Sequence, residues 1–352
     1  MRPARYPERV LPRPLLLRSA ALVAALALGC ASLIAPVSAD PPAHDWPGGA
    51  KAKDPRKTRG LFVDPKMPAY QQGGVYREQI GTRAQSFWVI PEAYDTDHVR
   101  AKVREYTGDA AAARKTPVLT VYGIPGRDCG QYSSGNPLTT STQYRDWIRQ
   151  VASGVRNQHA LLVLEPDALP LFSSPVETCP TKPDGWQGML RFASRVLTKA
   201  GAWVYLDAGH SNWTPYDQRP AVLERAGIGY ARGFSTNVSN FRTTASERQY
   251  AGFLLRGLRR LGVRGKHYVV DTSRNGATPS HDGYDVINPA WARLGRPPRL
   301  VFDRAFDGTL WVKHPGESDG DNDGTGPIPA SGVWCDFLAD RLLGRPDSPT
   351  CD

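Results

Sequence analysis

The stretch "ALLVLEPDALP" (160–170) runs five apolar residues straight into Glu165, Pro166 and Asp167 before turning apolar again. A carboxylate costs several kcal/mol to desolvate unless it is paired or put to use. Two of them closing a buried-looking run therefore mark a place where charge has a purpose. The pattern recurs: Asp128 in "GIPGRDCG", Asp207 in "YLDAGHSNW", Asp271 in "VVDTSRNG", and Glu317 and Asp319 in "KHPGESDG" all follow apolar runs. Carboxylates in the company of His210 and of Tyr122, Tyr132, Trp213, Trp291 and Trp311 suit two chemistries. One is metal binding; the other is general acid/base work on sugars, whose rings stack on aromatic faces. Any single aromatic also suits ordinary core packing. That is the expectation for Trp311, inside an apolar run, but not for Trp213, which follows a Gly-His turn.

The metal chemistry has one sharp feature. "DGDNDG" sets Asp319, Asp321, Asp323 and Gly324 at the spacing of a calcium loop. Its twelfth position is Ala330 where a bidentate Glu is needed, and Pro327 and Pro329 break the exiting helix. No metal and no other cofactor is expected. Nucleophilic catalysis is weaker still, because His210 follows a strand pattern with no nucleophile elbow beside it; hydrogen bonding to substrate or to a neighbouring carboxylate suits it better.

The elements that must position these groups are short β-rich runs alternating with helical patterns. Strands are expected at "QSFWVI", "PVLTVY", "ALLVLEP", "AWVYLDAG", "ARGFSTNV", "HYVVDTS" and "TLWVKHP". The clearest helix is "SERQYAGFLLRGLRRLGV", with Tyr250, Phe253, Leu254, Leu258 and Leu261 on one face, Ser246 as its cap and Gly262 as its stop. Such alternation implies an α/β fold of parallel strands with crossover helices, closed as a barrel or left as an open sheet. Nearly every strand runs into a polar cluster at its C-terminal end, the edge where parallel α/β folds place their sites. The clusters therefore converge on one cleft.

The rest of the chain sets the context. Residues 1–39 read as a secretory signal peptide: Arg2, Arg5, Arg9, Arg13 and Arg18 lead an apolar run that ends in the small-residue cleavage site "APVSAD". The run is short for a membrane span, so no membrane association is expected after cleavage. Cys30 is the alternative, as a lipoprotein site, against which stands Ala27 where such sites prefer Leu. Residues 40–58 are rich in Pro, Gly and charge and read as a flexible lead; residues 59–352 contain no repeat or second linker, so one domain is expected there. The formal net charge is +10 for the whole chain and about +6 without the leader. No Lys/Arg block marks a nucleic-acid partner, and a monomer is expected. Cys129, Cys179, Cys335 and Cys351 remain in the exported chain, an even number that favours disulfides. Of their three possible pairings, proximity along the chain favours Cys129–Cys179 and Cys335–Cys351.

Taken in order, "VYGIPGRDCGQYSSG", "LVLEPDALP", "VYLDAGHSNW", "FSTNVSNF" and "LWVKHPGESDG" resemble the motifs of glycoside hydrolase family 6, the inverting cellulases, over about residues 87–343. The resemblance implies a distorted seven-stranded parallel β/α barrel, TIM-like, and an endo-β-1,4-glucanase acting on cellulose or a related β-glucan. An exo-acting cellobiohydrolase and an inactive glucan-binding protein are the alternatives. It further implies Asp167 as general acid, with Asp128 beside it keeping it protonated and stabilising charge, since two close carboxylates cannot both ionise easily. Glu165 is then Asp167's structural partner, and Asp319 is the candidate base. Tyr122 corresponds to a tyrosine over the distorted sugar, Ser134 to a water-holding serine, and Asp207 and His210 to a cleft-lining pair. Trp213 and Trp291 correspond to stacking aromatics, and Asn237, Lys313 and Glu317 to sugar-binding groups. The chain departs from the family in having Ala292 where a cysteine is common, which leaves the loop over 275–299 without a disulfide anchor.

Overall fold

The apolar runs form strands because both of their faces are covered, one by neighbouring strands across the barrel and the other by helices. The computed structural model describes residues 54–130, 133, 135–277, 287–320, 328–348 and 351. The signal peptide, Cys30, Tyr132, Ser134 and the Asp321–Asp323–Gly324 part of the calcium-like stretch lie outside the described residues. The strands are β1 (Phe87–Val89), β2 (Val118–Val121), β3 (Leu161–Leu164), β4 (Trp203–Asp207), β5 (Gly233–Thr236), β6 (His267–Asp271), β7 (Arg299–Asp303) and β8 (Phe306–Leu310). They form one sheet in the order β1-β2-β3-β4-β5-β6-β8-β7. The seven expected strands are all parallel. The eighth, β7, is an unforeseen antiparallel edge on β8. "RLVFD" is partly exposed along its length, so it lacks the fully apolar run that marks the central strands. The last parallel strand also begins earlier than "TLWVKHP" suggests and ends at Leu310. Trp311 follows it and is buried with Ala69, Ile80 and Trp334, as core.

Side chains alternate along each strand with period two. On β3, Leu161 and Val163 point into the barrel with Val118, Trp203, Tyr205, Val269 and Leu310. Leu162 and Leu164 point outward into the main core, with Trp147, Leu190 and Leu254 from the surrounding helices. Those helices include α1 (Val99–Ala112), α2 (Ser141–Val155), α3 (Ala168–Ser173), α4 (Trp186–Lys199), α5 (Arg219–Arg225), α6 (Thr244–Arg260) and α7 (Asp336–Leu343). Helix α2 starts with a reciprocal capping box between Thr140 and Gln143. Helix α6 is capped by Thr243, whose Oγ1 accepts the Ser246 N–H at 3.1 Å, so the cap lies three residues before the expected Ser246. Of its predicted face, Tyr250, Leu254 and Leu258 are buried while Leu261 is 50% exposed, because the helix has ended there.

The barrel is closed without a strand ladder between β1 and β8. Ser86 N–H donates to the Trp311 carbonyl at 3.0 Å, and Trp88 Nε1–H donates to the Val312 carbonyl at 2.8 Å. At the opposite, N-terminal end of the strands, Asp54–Thr58 pack onto the domain instead of continuing the flexible lead read from composition over 40–58. Arg56 is 1% exposed; it pairs with Asp54, lies over the Trp203 ring at 4.2 Å and donates to the Ala160 and Gly201 carbonyls. Among the described residues no helix is long and apolar enough to cross a membrane.

Candidate active site

At the C-terminal ends of the strands, buried carboxylates tie neighbouring loops together. Glu165, ending β3, accepts the N–H groups of Gly123 and Ile124 at 3.0 Å each and the Tyr144 hydroxyl at 2.8 Å. These partners belong to the exit of β2 and to helix α2. Asp207, ending β4, accepts from Asp167 N–H at 3.0 Å, Gly209 N–H at 3.2 Å and the Ser235 hydroxyl at 3.0 Å. Asp271, ending β6, accepts from Ser273, Ser239 and Lys313 N–H groups. Asn237 after β5 donates to the Asp271 carbonyl at 2.8 Å and accepts Arg242 N–H. Burial pushes the carboxyls of Glu165 and Asp207 up to about 7 each, against the hydrogen bonds that favour their charged forms. These groups form a buried floor. Asp207 and Asn237, expected to meet substrate, belong to this floor, at 1% and 0% exposure.

Above the floor lies a cleft of about 1060 Å³ lined by Trp88, Tyr122, Asp128, Asp167, His210, Trp213, Lys313, Glu317 and Asp319, among others. The strand ends put most of the expected residues on this one surface. Besides Asp207 and Asn237, Trp291 is not on it: it packs edge-on against Phe241, with ring centroids 5.4 Å apart, and Phe241 rather than Trp291 lines the cleft.

Asp128 and Asp167 sit on loops with unusual backbone. Asp128 and Cys129 have φ of 58° and 51°, and Glu165 and Asp167 have 49° and 64°. Left-handed conformations at non-glycine residues are costly and persist only where surroundings impose them. Here Asp128 Oδ2 accepts Ser133 N–H at 2.6 Å, and the Cys129–Cys179 disulfide joins the loop after β2 to the segment after α3. The disulfide therefore anchors the Asp128 loop to the segment that leaves α3, the helix that Asp167 precedes. Burial raises the Asp128 carboxyl above its usual range, opposed by the Ser133 N–H and Arg127. The Tyr122 phenol is pushed well up by burial and then by the charges of Asp128 and Asp167, which both face it.

Asp319 is the opposite case. Burial alone would raise it, but Arg274 at 2.6 Å and Lys313 at 3.2 Å outweigh burial and hold it down at about 2. The cleft thus sets a carboxyl raised by burial against a firmly ionised one, the separation on which acid and anion roles depend.

Several lining or supporting residues were not singled out from sequence. Arg127 lies over the Tyr122 ring at 4.5 Å, donates to the Tyr122 carbonyl at 2.6 Å and pairs with Glu92. Trp88 meets Tyr122 edge-on; its place in "QSFWVI", one residue out of phase with the outward-facing Val89, was the available signal. Arg274 and His314 stand inside quoted polar clusters, but nothing in a linear motif shows which carboxylate they will meet. Ser318 completes a G-x-S-x-G spelling, Gly316-Glu317-Ser318-Asp319-Gly320. It is no nucleophile elbow: its buried hydroxyl donates to the Pro329 carbonyl at 2.8 Å. The second disulfide, Cys335–Cys351, ties the start of α7 to the chain's end. Among the described residues no group of three or more His, Cys, Asp or Glu side chains could hold a metal ion.

Residues 70–345 match the family described as Glycosyl hydrolases family 6. The chain is 40% identical over 293 residues to Endoglucanase A of Cellulomonas fimi, covering 81% of this chain and 61% of that protein. It is 34% identical over 311 residues to Endoglucanase A of Thermobispora bispora, covering 86% of this chain and 64% of that protein. The chain thus spans less than two thirds of the length of these relatives. Among solved structures it resembles the endoglucanase Cel6 from Mycobacterium tuberculosis in complex with methyl-cellobiosyl-4-deoxy-4-thio-β-D-cellobioside. That likeness has a TM-score of 0.73 and 37% identity, and covers 83% of this chain and 99% of the other.

Proposed function

Because the chain belongs to glycosyl hydrolase family 6, we propose that it is a secreted, cofactor-free, inverting endo-β-1,4-glucanase acting as a monomer on cellulose or a related β-glucan. Asp167 is the general acid that protonates the scissile oxygen. Asp128, whose own carboxyl is raised by burial, keeps that proton in place and answers the positive charge that develops on the sugar ring. Tyr122, backed by Arg127, lies over the distorted ring; Trp213 and Trp88 offer stacking faces, and Lys313, Glu317 and His210 offer hydrogen bonds. Asp319 orients the attacking water as a fixed anion. A carboxylate held at about 2 keeps a proton poorly at neutral pH, so the water's proton passes onward through other waters. Export through residues 1–39 fits the two disulfides, which persist in oxidising compartments.

The observation that carries this reading is that Asp128, on a disulfide-anchored loop, Asp167 and an ionised Asp319 line one cleft. Purified protein should hydrolyse a soluble cellulose derivative, and Asp167→Ala should do so far more slowly. Proton NMR of the first products should show the α anomer; initial β product would exclude inversion.

One contact favours the exo-acting alternative. Ser133 Oγ and Ser331 Oγ, from the loops after β2 and β8, approach to 3.5 Å. A roofed cleft holds a chain end, whereas an open one admits the middle of a chain. A steep early fall in viscosity per reducing end released supports endo attack; cellobiose accumulating at nearly constant viscosity supports exo attack.

A further inference from the structure

Two hydrogen bonds cross the seam between β1 and β8, and His314 makes a third. Its Nε2 lies 2.6 Å from the Ser86 carbonyl oxygen, and its Nδ1 lies 2.7 Å from Glu317 Oε1. A carbonyl oxygen only accepts, and so does an ionised carboxylate. A neutral imidazole carries one N–H and satisfies one of them; only the imidazolium donates to both. The two side chains are each 10% exposed, and both line the cleft. The backbone beneath Glu317 is held as well. Gly316, at φ +95°, packs so closely on the Trp334 ring that a Cβ would stand 2.4 Å from it, and Cys335 N–H donates to the Gly316 carbonyl at 2.9 Å. With the main chain pinned, the remaining freedom of Glu317 is in its side chain, and His314 is what restrains that.

We propose that His314 is a positioning residue: held as an imidazolium between the Ser86 carbonyl and Glu317, it orients that carboxylate toward a sugar hydroxyl and releases it when the proton leaves. The proposal rests on the glucan reading of the cleft. The charged groups around His314 come from two loops. Glu317 and Lys313 share its own loop after β8. Beyond Lys313 stand Asp319, which pairs with it, and Arg274 of the loop after β6. The β1 edge presents the Ser86 carbonyl. Burial works against the imidazolium and so does Lys313, yet the Glu317 carboxylate and the Ser86 carbonyl outweigh them, so the proton is held above the ordinary imidazole range. A group whose value is raised in the folded protein contributes below that value and is lost above it. Glucan binding should therefore weaken as pH rises through the titration of His314, while the chemical step at Asp167 is little touched.

The test is KM and kcat for a soluble cello-oligosaccharide between about pH 5 and pH 9, for the wild type and His314→Gln, together with imidazole ¹⁵N spectra of the wild type. Wild-type KM should rise about tenfold above the His314 titration, the scale of one charge-assisted hydrogen bond, with kcat changing less than about twofold. His314→Gln should show the high KM throughout, without the inflection. The same inflection in His314→Gln would overturn the proposal. So would a singly protonated His314 imidazole at about pH 6 in the wild-type spectrum, a result that does not depend on the variant folding or on turnover. Absence of hydrolysis by the wild type would instead count against the glucan reading, and the spectrum would still decide the imidazolium bridge.

Discussion

Arg274→Gln removes the stronger of the two cations that hold Asp319. The guanidinium stands 2.6 Å from Asp319 Oδ2, and with Lys313 it brings the carboxyl from an ordinary 3.8 to about 2 despite burial. At 1.36 kcal/mol per pKa unit this depression is worth about 2 kcal/mol of stability at neutral pH. The sign follows from the depression: the contribution is complete above the unfolded value near 4 and is lost as pH falls toward about 2. Deleting Arg274 leaves Lys313 to answer a nearly buried charge, so a loss of about 1–3 kcal/mol is expected at pH 7, below the full cost of stranding a buried ion. Arg274 also lies over the Phe241 ring at 4.5 Å and donates to the Ser239 carbonyl, and those losses must be separated. A double-mutant cycle with Asp319→Asn, read by urea unfolding at pH 7, subtracts them. The coupling should exceed about 1 kcal/mol. Additivity within about 0.5 kcal/mol would refute the claim that Arg274 sets the state of Asp319. In activity, Arg274→Gln should move the acid limb of kcat to higher pH, as Lys313 alone opposes the burial of Asp319.

Asp167→Ala should lower turnover of cellulose-like substrates by roughly 10²–10⁴-fold, with a much smaller loss on an aryl glycoside whose leaving group needs little protonation; equal losses would move the acid role elsewhere. Reduction of Cys129–Cys179 should reduce activity before global unfolding, because local order around Asp128 goes first; activity and tryptophan fluorescence that fall together would contradict this. Glu165→Ala should destabilise the domain by about 3 kcal/mol or more, since Gly123 and Ile124 N–H lose a buried acceptor, whereas Glu165→Gln keeps part of that bonding and should cost less in a thermal melt.

The alternation of apolar runs and polar clusters in this sequence determined the parallel α/β architecture and the edge of the sheet where the cleft lies. Both depend on local periodicity and on the rule that strands buried on two faces are apolar until they end. Motif order likewise determined which carboxylates would gather, and chain proximity was enough to pair the cysteines. The tertiary structure decided how those carboxylates divide. Glu165, Asp207 and Asp271 look no different from Asp128, Asp167 and Asp319 in a linear reading, for each closes or follows an apolar run. Only the fold turns the first three onto backbone N–H groups of adjacent loops and gives Asp319 to Arg274, because those donors are supplied by other strands; Lys313 reaches Asp319 from within its own loop. The burial of Arg56 against Trp203 was likewise settled by partners distant in sequence, whereas the edge strand β7 and the Thr243 cap of α6 rest on near neighbours whose pattern was not read. Charge and strand content can be read along one chain; which groups share a buried site depends on contacts that no short stretch contains.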